Sequence, residues 1–169
     1  MRIDALSLQS LPNGIVHHRD AVYVADSVIG VIWRVADIGG IAEIWAEGHK
    51  LTQVPNGLPG PNGLKVCEGE RYVSNPSQKH GGRRSRAARR QAGAARTHAT
   101  DVFCDDLAFD VHGNVYCGTD QFDTVVRIAP DGAMDTILTA ADGLDGPTAM
   151  LFGRNNEGFD LCLFRDQRG

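Results

Sequence analysis

Residues 105–140 read DDLAFDVHGNVYCGTDQFDTVVRIAPDGAMDTILTA. Four short runs stand out in this stretch: DLAFD, NVYCGT, TVVRIA and MDTILTA. They are rich in β-branched and aromatic residues and alternate or run apolar, as half-buried strands do. Between them lie HG, QFD and PDG, the Gly, Asp and Pro punctuation of tight turns. No apolar stripe of helical period runs through the segment. The reading is four sequential strands joined by turns.

The same unit recurs outward in both directions. Upstream, PNGLKVCEGERYVSNP starts at Pro61 and PNGIVHHRDAVYVADS at Pro12; downstream, PTAMLFGRNNEGFDLCLF starts at Pro147. In each, a polar residue is followed by an apolar run, a turn and a second apolar run. The starts fall at Asn13, Asn62, Asp105 and Thr148, with spacings of 49, 43 and 43 residues. The first unit also shows four strand-like runs: NGIVHH, AVYVADS, GVIWRVA and IAEIWAE. Four short strands at a period near 43 describe the blades of a β-propeller, with a β-sandwich as the alternative all-β reading. Of the two PNGL copies in residues 54–66, the second is a blade start and the first reads as loop.

The second unit departs from the template. Where its third strand belongs, residues 80–96 read HGGRRSRAARRQAGAAR, Arg- and Ala-rich with no β-branched residue. An irregular, poorly ordered stretch is expected there. A basic nucleic-acid patch is the functional alternative, but no aromatic residues interleave the arginines and the rest of the chain is acidic. The unit keeps its length although its composition changes, which also fits a locally shifted reading frame.

The chain has 169 residues, 42% of them hydrophobic, which suffices for one globular core. Its net charge of −4 gives no global reason to expect nucleic acid. Cys67, Cys104, Cys117 and Cys162 show no CxxC or zinc-like spacing. Buried thiols are the default for them, with a disulfide or a reactive thiol as the alternative. The opening MRIDALSLQSLPNG lacks a basic start followed by an apolar run, and no apolar stretch reaches ~18 residues. A cytoplasmic protein that engages no membrane is the expectation.

In a propeller, the first strand of each blade lines the central channel, so the blade starts converge on its mouth. Asn13, Asn62, Asp105 and Thr148 would then share one space. Amide carbonyls and a carboxylate are hard oxygen donors suited to Ca²⁺ or Mg²⁺. Alternatively, Asn, Asp and Gly at these points merely satisfy turn geometry.

The stretches PNGLKV…YVSN, DDLAFDVHGNVY…DTVVRIAPDG and GPTAMLFGR together resemble the SMP-30/gluconolactonase/LRE-like family. The resemblance covers most of residues 12–157 and fails across about 80–96. It implies an all-β fold, a six-bladed β-propeller of which about four blade units are present, the second degenerate and the last incomplete. Residues 1–169 would be a fragment of that propeller. It further implies a lactone hydrolase dependent on a divalent metal ion (Ca, Mg, Mn or Zn). Asp105 would be a metal ligand and the general base, Asn62 a second metal ligand, and Asn13 a substrate-binding residue. The family's usual Pro-Asp-Gly is replaced here by Cys104-Asp105-Asp106, so either aspartate could face the channel; the repeat register favours Asp105. A glutamate that the family contributes from its first blade has no counterpart in this chain, so these residues alone are expected to be inactive. The partner implied is a small-molecule lactone or sugar acid. A non-catalytic propeller that binds a ligand or partner at its channel mouth is the competing reading.

Overall fold

A computed structural model describes residues 3–4, 9–48, 51, 60–76, 80–85, 95–155 and 158–165. Among them the chain is β throughout, relieved by two short 3-10 turns at Asp120–Phe122 and Ala140–Asp142. The first sheet comprises β2 (Pro12–His18), β3 (Ala21–Asp26), β4 (Val31–Ala36) and β6 (Glu43–Ala46), in that spatial order. Two short strands, β1 (Ile3–Asp4) and β5 (Gly40–Ile41), pair in parallel apart from it. The second sheet is β7 (Leu64–Cys67), β8 (Glu70–Asn75), β9 (His80–Ser85) and β10 (Ala95–Thr97). The third is β11 (Asp106–Phe109), β12 (Val115–Thr119), β13 (Thr124–Ile128) and β14 (Met134–Leu138). A final antiparallel pair joins β15 (Pro147–Asn155) and β16 (Gly158–Arg165).

The turn punctuation of the sequence falls where the chain reverses. Asp110, for instance, accepts the backbone N–H groups of His112 and Asn114, and Gly113 takes a φ of 80°. That closes the β11–β12 hairpin with a conformation glycine adopts at little cost. The Arg-rich run corrects the expectation of irregularity in part. Residues 80–85 and 95–97 are strands, with β9 paired to both β8 and β10, while 86–94 lie outside the described residues. Pairing with an established neighbour overrides the weak β-propensity of Gly and Arg. The PNGL copy at 55–58 also lies outside the described residues.

The apolar core sits between sheets rather than within them. Tyr23, Ala25, Ile32 and Trp45 of the first sheet meet Leu64 and Val73 of the second. Tyr72 meets Leu107, Val115 and Ile128 across the next junction, and Ala108 and Val125 meet Met150 across the third. Burial of a side chain such as Leu64 or Leu107 contributes about 2 kcal/mol, so each junction is a small core in its own right. Stacked antiparallel sheets of this kind are propeller-like. The innermost strands share one groove of ≈ 530 Å³, lined by Val16, Lys65, Ala108, Phe109, Met150 and Phe152 among others.

Candidate functional site at the sheet starts

Consecutive sheets are stitched together at their first residues. The Gly14 N–H donates to the Asn62 carbonyl at 3.0 Å, and the Gly63 N–H donates to the Asp105 carbonyl at 3.0 Å. The two bonds are the same bond in successive repeats. Serine hydroxyls reinforce both junctions from non-equivalent places: Ser27 Oγ donates to the Pro61 carbonyl, and Ser74 Oγ to the Asp105 carbonyl, each at 2.6 Å.

This stitching explains why the motif is Asn-Gly. Neither Gly14 nor Gly63 has a positive φ, so turn geometry does not demand glycine at either place. Space does. A Cβ on Gly14 would lie 2.5 Å from the Leu64 nitrogen and nearer still to the Asn62 carbonyl oxygen. On Gly63 it would lie 2.8 Å from the Asp106 Cα and collide with the Asp106 carboxylate. The backbones of adjacent sheets approach too closely for any side chain.

The stitching also sets Asn62 beside Asp105, 43 residues apart in sequence, where Asn62 Nδ2 donates to Asp105 Oδ1 at 2.6 Å. Both backbones are held from either side. The Asn62 N–H donates to the Ser74 carbonyl at 2.9 Å, and the Asp105 N–H to the Gly118 carbonyl at 2.8 Å. Asn62 is buried and Asp105 partly so. Burial, reinforced by the Asp120 and Asp106 carboxylates, pushes the Asp105 carboxyl up to about 7; the Asn62 hydrogen bond opposes that rise.

Asp106 is occupied elsewhere. Its Oδ2 accepts from Lys65 Nζ at 2.9 Å and from the Met150 N–H at 3.1 Å, so one buried carboxylate ties the second, third and fourth sheets. Asp105 is the aspartate left to work with Asn62. Asn13 precedes Gly14 on the far side of Asn62 and is exposed; Thr148 lies at the start of β15 and is half-buried. Asn13, Asn62 and Asp105 therefore follow one another along a single row of sheet starts.

Two features lie outside the leading reading of the residues. Asp120 adds charge to the Asp105 environment from the 3-10 turn after β12. Cys104 and Cys117 form a disulfide with Cα atoms 5.1 Å apart, which corrects the expectation of buried thiols for these two. The hairpin register alone does not place them face to face: Cys117 pairs with Leu107, while Cys104 stands two residues before β11 begins. The disulfide ties the two segments whose Asp105–Gly118 hydrogen bond fixes the Asp105 backbone.

A hard divalent cation suits the chemistry of Asn62 and Asp105. The carboxylate is crowded by two others, and the Lys65 ammonium bonds to Asp106. The donor set is small, however: among the described residues no three His, Cys, Asp or Glu side chains gather to hold a metal ion.

No family model matches the chain, and no curated protein matches it. Solved structures do. A gluconolactonase from Xanthomonas campestris aligns at 17% identity and a TM-score of 0.67, covering 97% of this chain and 57% of that one. A streptogramin B lyase aligns at 12% identity and a TM-score of 0.62, covering 95% of this chain and 54% of the other. A catalytically inactive virginiamycin B lyase from Staphylococcus aureus, solved with quinupristin, aligns at 12% identity and a TM-score of 0.60, covering 94% and 56%. At such identities the likeness shows the fold alone. The chain spans little more than half the length of these structures.

Proposed function

We propose that this chain forms about four blades of a six-bladed lactonase-like propeller and carries the central part of a metal-dependent lactone-hydrolysing site. The observation that carries the reading is the Asn62–Asp105 pair, an amide and a carboxylate set side by side by consecutive sheet starts, with Asn62 Nδ2 donating to Asp105 Oδ1 at 2.6 Å. Asn62 and Asp105 would hold the divalent ion (Ca, Mg, Mn or Zn), which when bound polarises a carbonyl and acidifies water.

The chain's own residues supply the rest. Asp105 in its ionised form accepts the proton of the attacking water; a carboxyl titrating near neutrality can both take and release it. Asn62 fixes the orientation of that carboxylate. Asn13, exposed at the preceding sheet start, would hold a hydroxyl of the lactone or sugar acid. Two fixed ligands hold a hard cation weakly, so these 169 residues alone should turn over little or no lactone.

The test pairs binding with turnover. Calorimetric titration of Ca²⁺, Mg²⁺, Mn²⁺ and Zn²⁺ into the chain should give weak binding that Asp105→Ala removes. A form completed to a closed ring should hydrolyse sugar lactones only with metal, and Asp105→Ala should abolish that activity. If the completed form hydrolyses no lactone with any of the four ions, the non-catalytic ligand-binding reading replaces this one.

A further inference from the structure

Away from the sheet starts, the junction between the first and second sheets contains an unusual cation. Arg71 of β8 is 5% exposed, and its Cζ sits 4.0 Å from the Tyr23 ring centroid and 4.8 Å from that of Trp45. Tyr23 and Trp45 pack edge to face at 5.1 Å and are themselves buried, which encloses the guanidinium between aromatic surfaces. Such faces attract a cation but accept few hydrogen bonds.

Tyr23 offers Arg71 one hydrogen bond, but most of the polar nitrogens here have no partner. Arg71 Nε and Nη1, Trp45 Nε1 and the neighbouring His18 Nε2 are all buried without a hydrogen bond. That places four orphaned atoms on three side chains at one junction. An orphaned buried donor costs about 1–3 kcal/mol, more when charged. The charged groups facing Arg71 make its position worse, because they include Arg19 and Arg34 and no carboxylate. Asp20, the nearby acid, bonds to Arg34 at 3.2 Å, and Glu43 lies across from Arg34 in the register. Burial and the Arg71 charge hold His18 below its usual range. The junction is thus a set of enclosed polar nitrogens in a cationic field, more than the Tyr23 hydroxyl beside Arg71 can serve.

We propose that this junction is an anion site, taking a small carboxylate or oxyanion on the Arg71 guanidinium, the Trp45 indole N–H and His18. The half-buried His18 ring, at the end of β2, is the side from which the ligand enters. The site is remote in role from the Asn62–Asp105 pair and stands whether or not the lactonase reading holds.

Thermal unfolding of the whole chain at constant ionic strength tests it, with inorganic phosphate and acetate as probes and chloride as the balancing salt. The wild-type midpoint should climb with one or both probes, as for any ligand that binds only the folded state. Arg71→Met keeps the packing volume and removes the charge; its midpoint should not respond, since losing charged hydrogen bonds weakens affinity about 10- to 100-fold. Trp45→Phe keeps an aromatic face and removes the N–H with the pyrrole part of the indole, so it should still respond with an affinity lower by about 5-fold. Should Arg71→Met fail to fold, the Trp45→Phe shift decides alone. A wild-type midpoint indifferent to both anions overturns the proposal. So does an equal response in the variants.

Discussion

Gly63 and Asp106 occupy the same place in consecutive repeats, one residue past a sheet start. Gly63 must carry no side chain, because the Asp106 Cα stands 2.8 Å from where its Cβ would be. Asp106 not only carries one but uses it to reach Lys65 behind and Met150 ahead. The sequence repeat is the same; the space next to it is not. A repeat position therefore acquires its role from the neighbouring sheet, and the third sheet has spent its second aspartate on assembly. That leaves the first to pair with Asn62.

The largest effect should come from filling the space at Gly63. Gly63→Ala forces backbone apart at the second junction and should cost about 3 kcal/mol or more, read as a drop in the urea midpoint. A cost below ~1 kcal/mol would show that the sheets are not in the close contact described. Next comes the covalent tie on the Asp105 side, for which Asn62 has no equivalent. Replacing both Cys104 and Cys117 by alanine opens a link of sequence separation 13 and should cost about 3 kcal/mol. Both cysteines are fully buried, so thiol labelling of the native wild type should leave them unmodified even in a mild reductant.

Asp106→Gly makes the third sheet imitate the second. It strips partners from Lys65 Nζ and the Met150 N–H, and Lys65, with its side chain 33% exposed, recovers part of the loss from water. A cost of about 2 kcal/mol is expected, again from urea unfolding. In the Gly63→Ala background the same change removes the carboxylate from the collision but leaves the Asp106 Cα and Asp105 carbonyl in place. Most of the alanine's cost should persist, which a double-mutant cycle measures.

The last effect has the opposite sign. The Asp105 carboxyl, held up to about 7 from an ordinary 3.8, keeps its proton in the folded chain over a range where the unfolded chain has released it. Its contribution to stability is complete below the unfolded value and drains away as pH rises toward 7. Above pH 7 the ionised carboxylate is a net cost. Asp105→Asn should therefore match the wild type near pH 4 and melt higher at pH 8, in thermal scans across that range without divalent ions.

The sequence made the fold legible wherever the signal was local. The runs in 105–140 became β11 to β14 with ends displaced by a residue or two, and the first unit did the same. Turn dipeptides and alternation are properties of adjacent residues, and adjacent residues are what a sequence displays. Asn62 and Asp105 were brought together by the repeat spacing, a longer-range signal but a periodic one. What escaped depends on contact between different sheets. The reason for glycine at 14 and 63, the service of Asp106 and the orphaned donors around Arg71 all arise across junctions. The β-strand at 80–85 escaped for a reason within its own sheet, since pairing with β8 and β10 rather than composition makes it a strand.

One further consequence follows from the bond between the Gly63 N–H and the Asp105 carbonyl. Each sheet touches chiefly the sheets before and after it, so the chain resembles a one-dimensional array whose units gain stability from nearest neighbours. The Asn62–Asp105 pair exists only while the second and third units are docked. Closing the 43-residue span between them costs entropy that neither unit recovers alone. Anything that binds across that pair therefore reads out, and reinforces, the docking of two units. Ligand occupancy and the order of the array become one cooperative quantity.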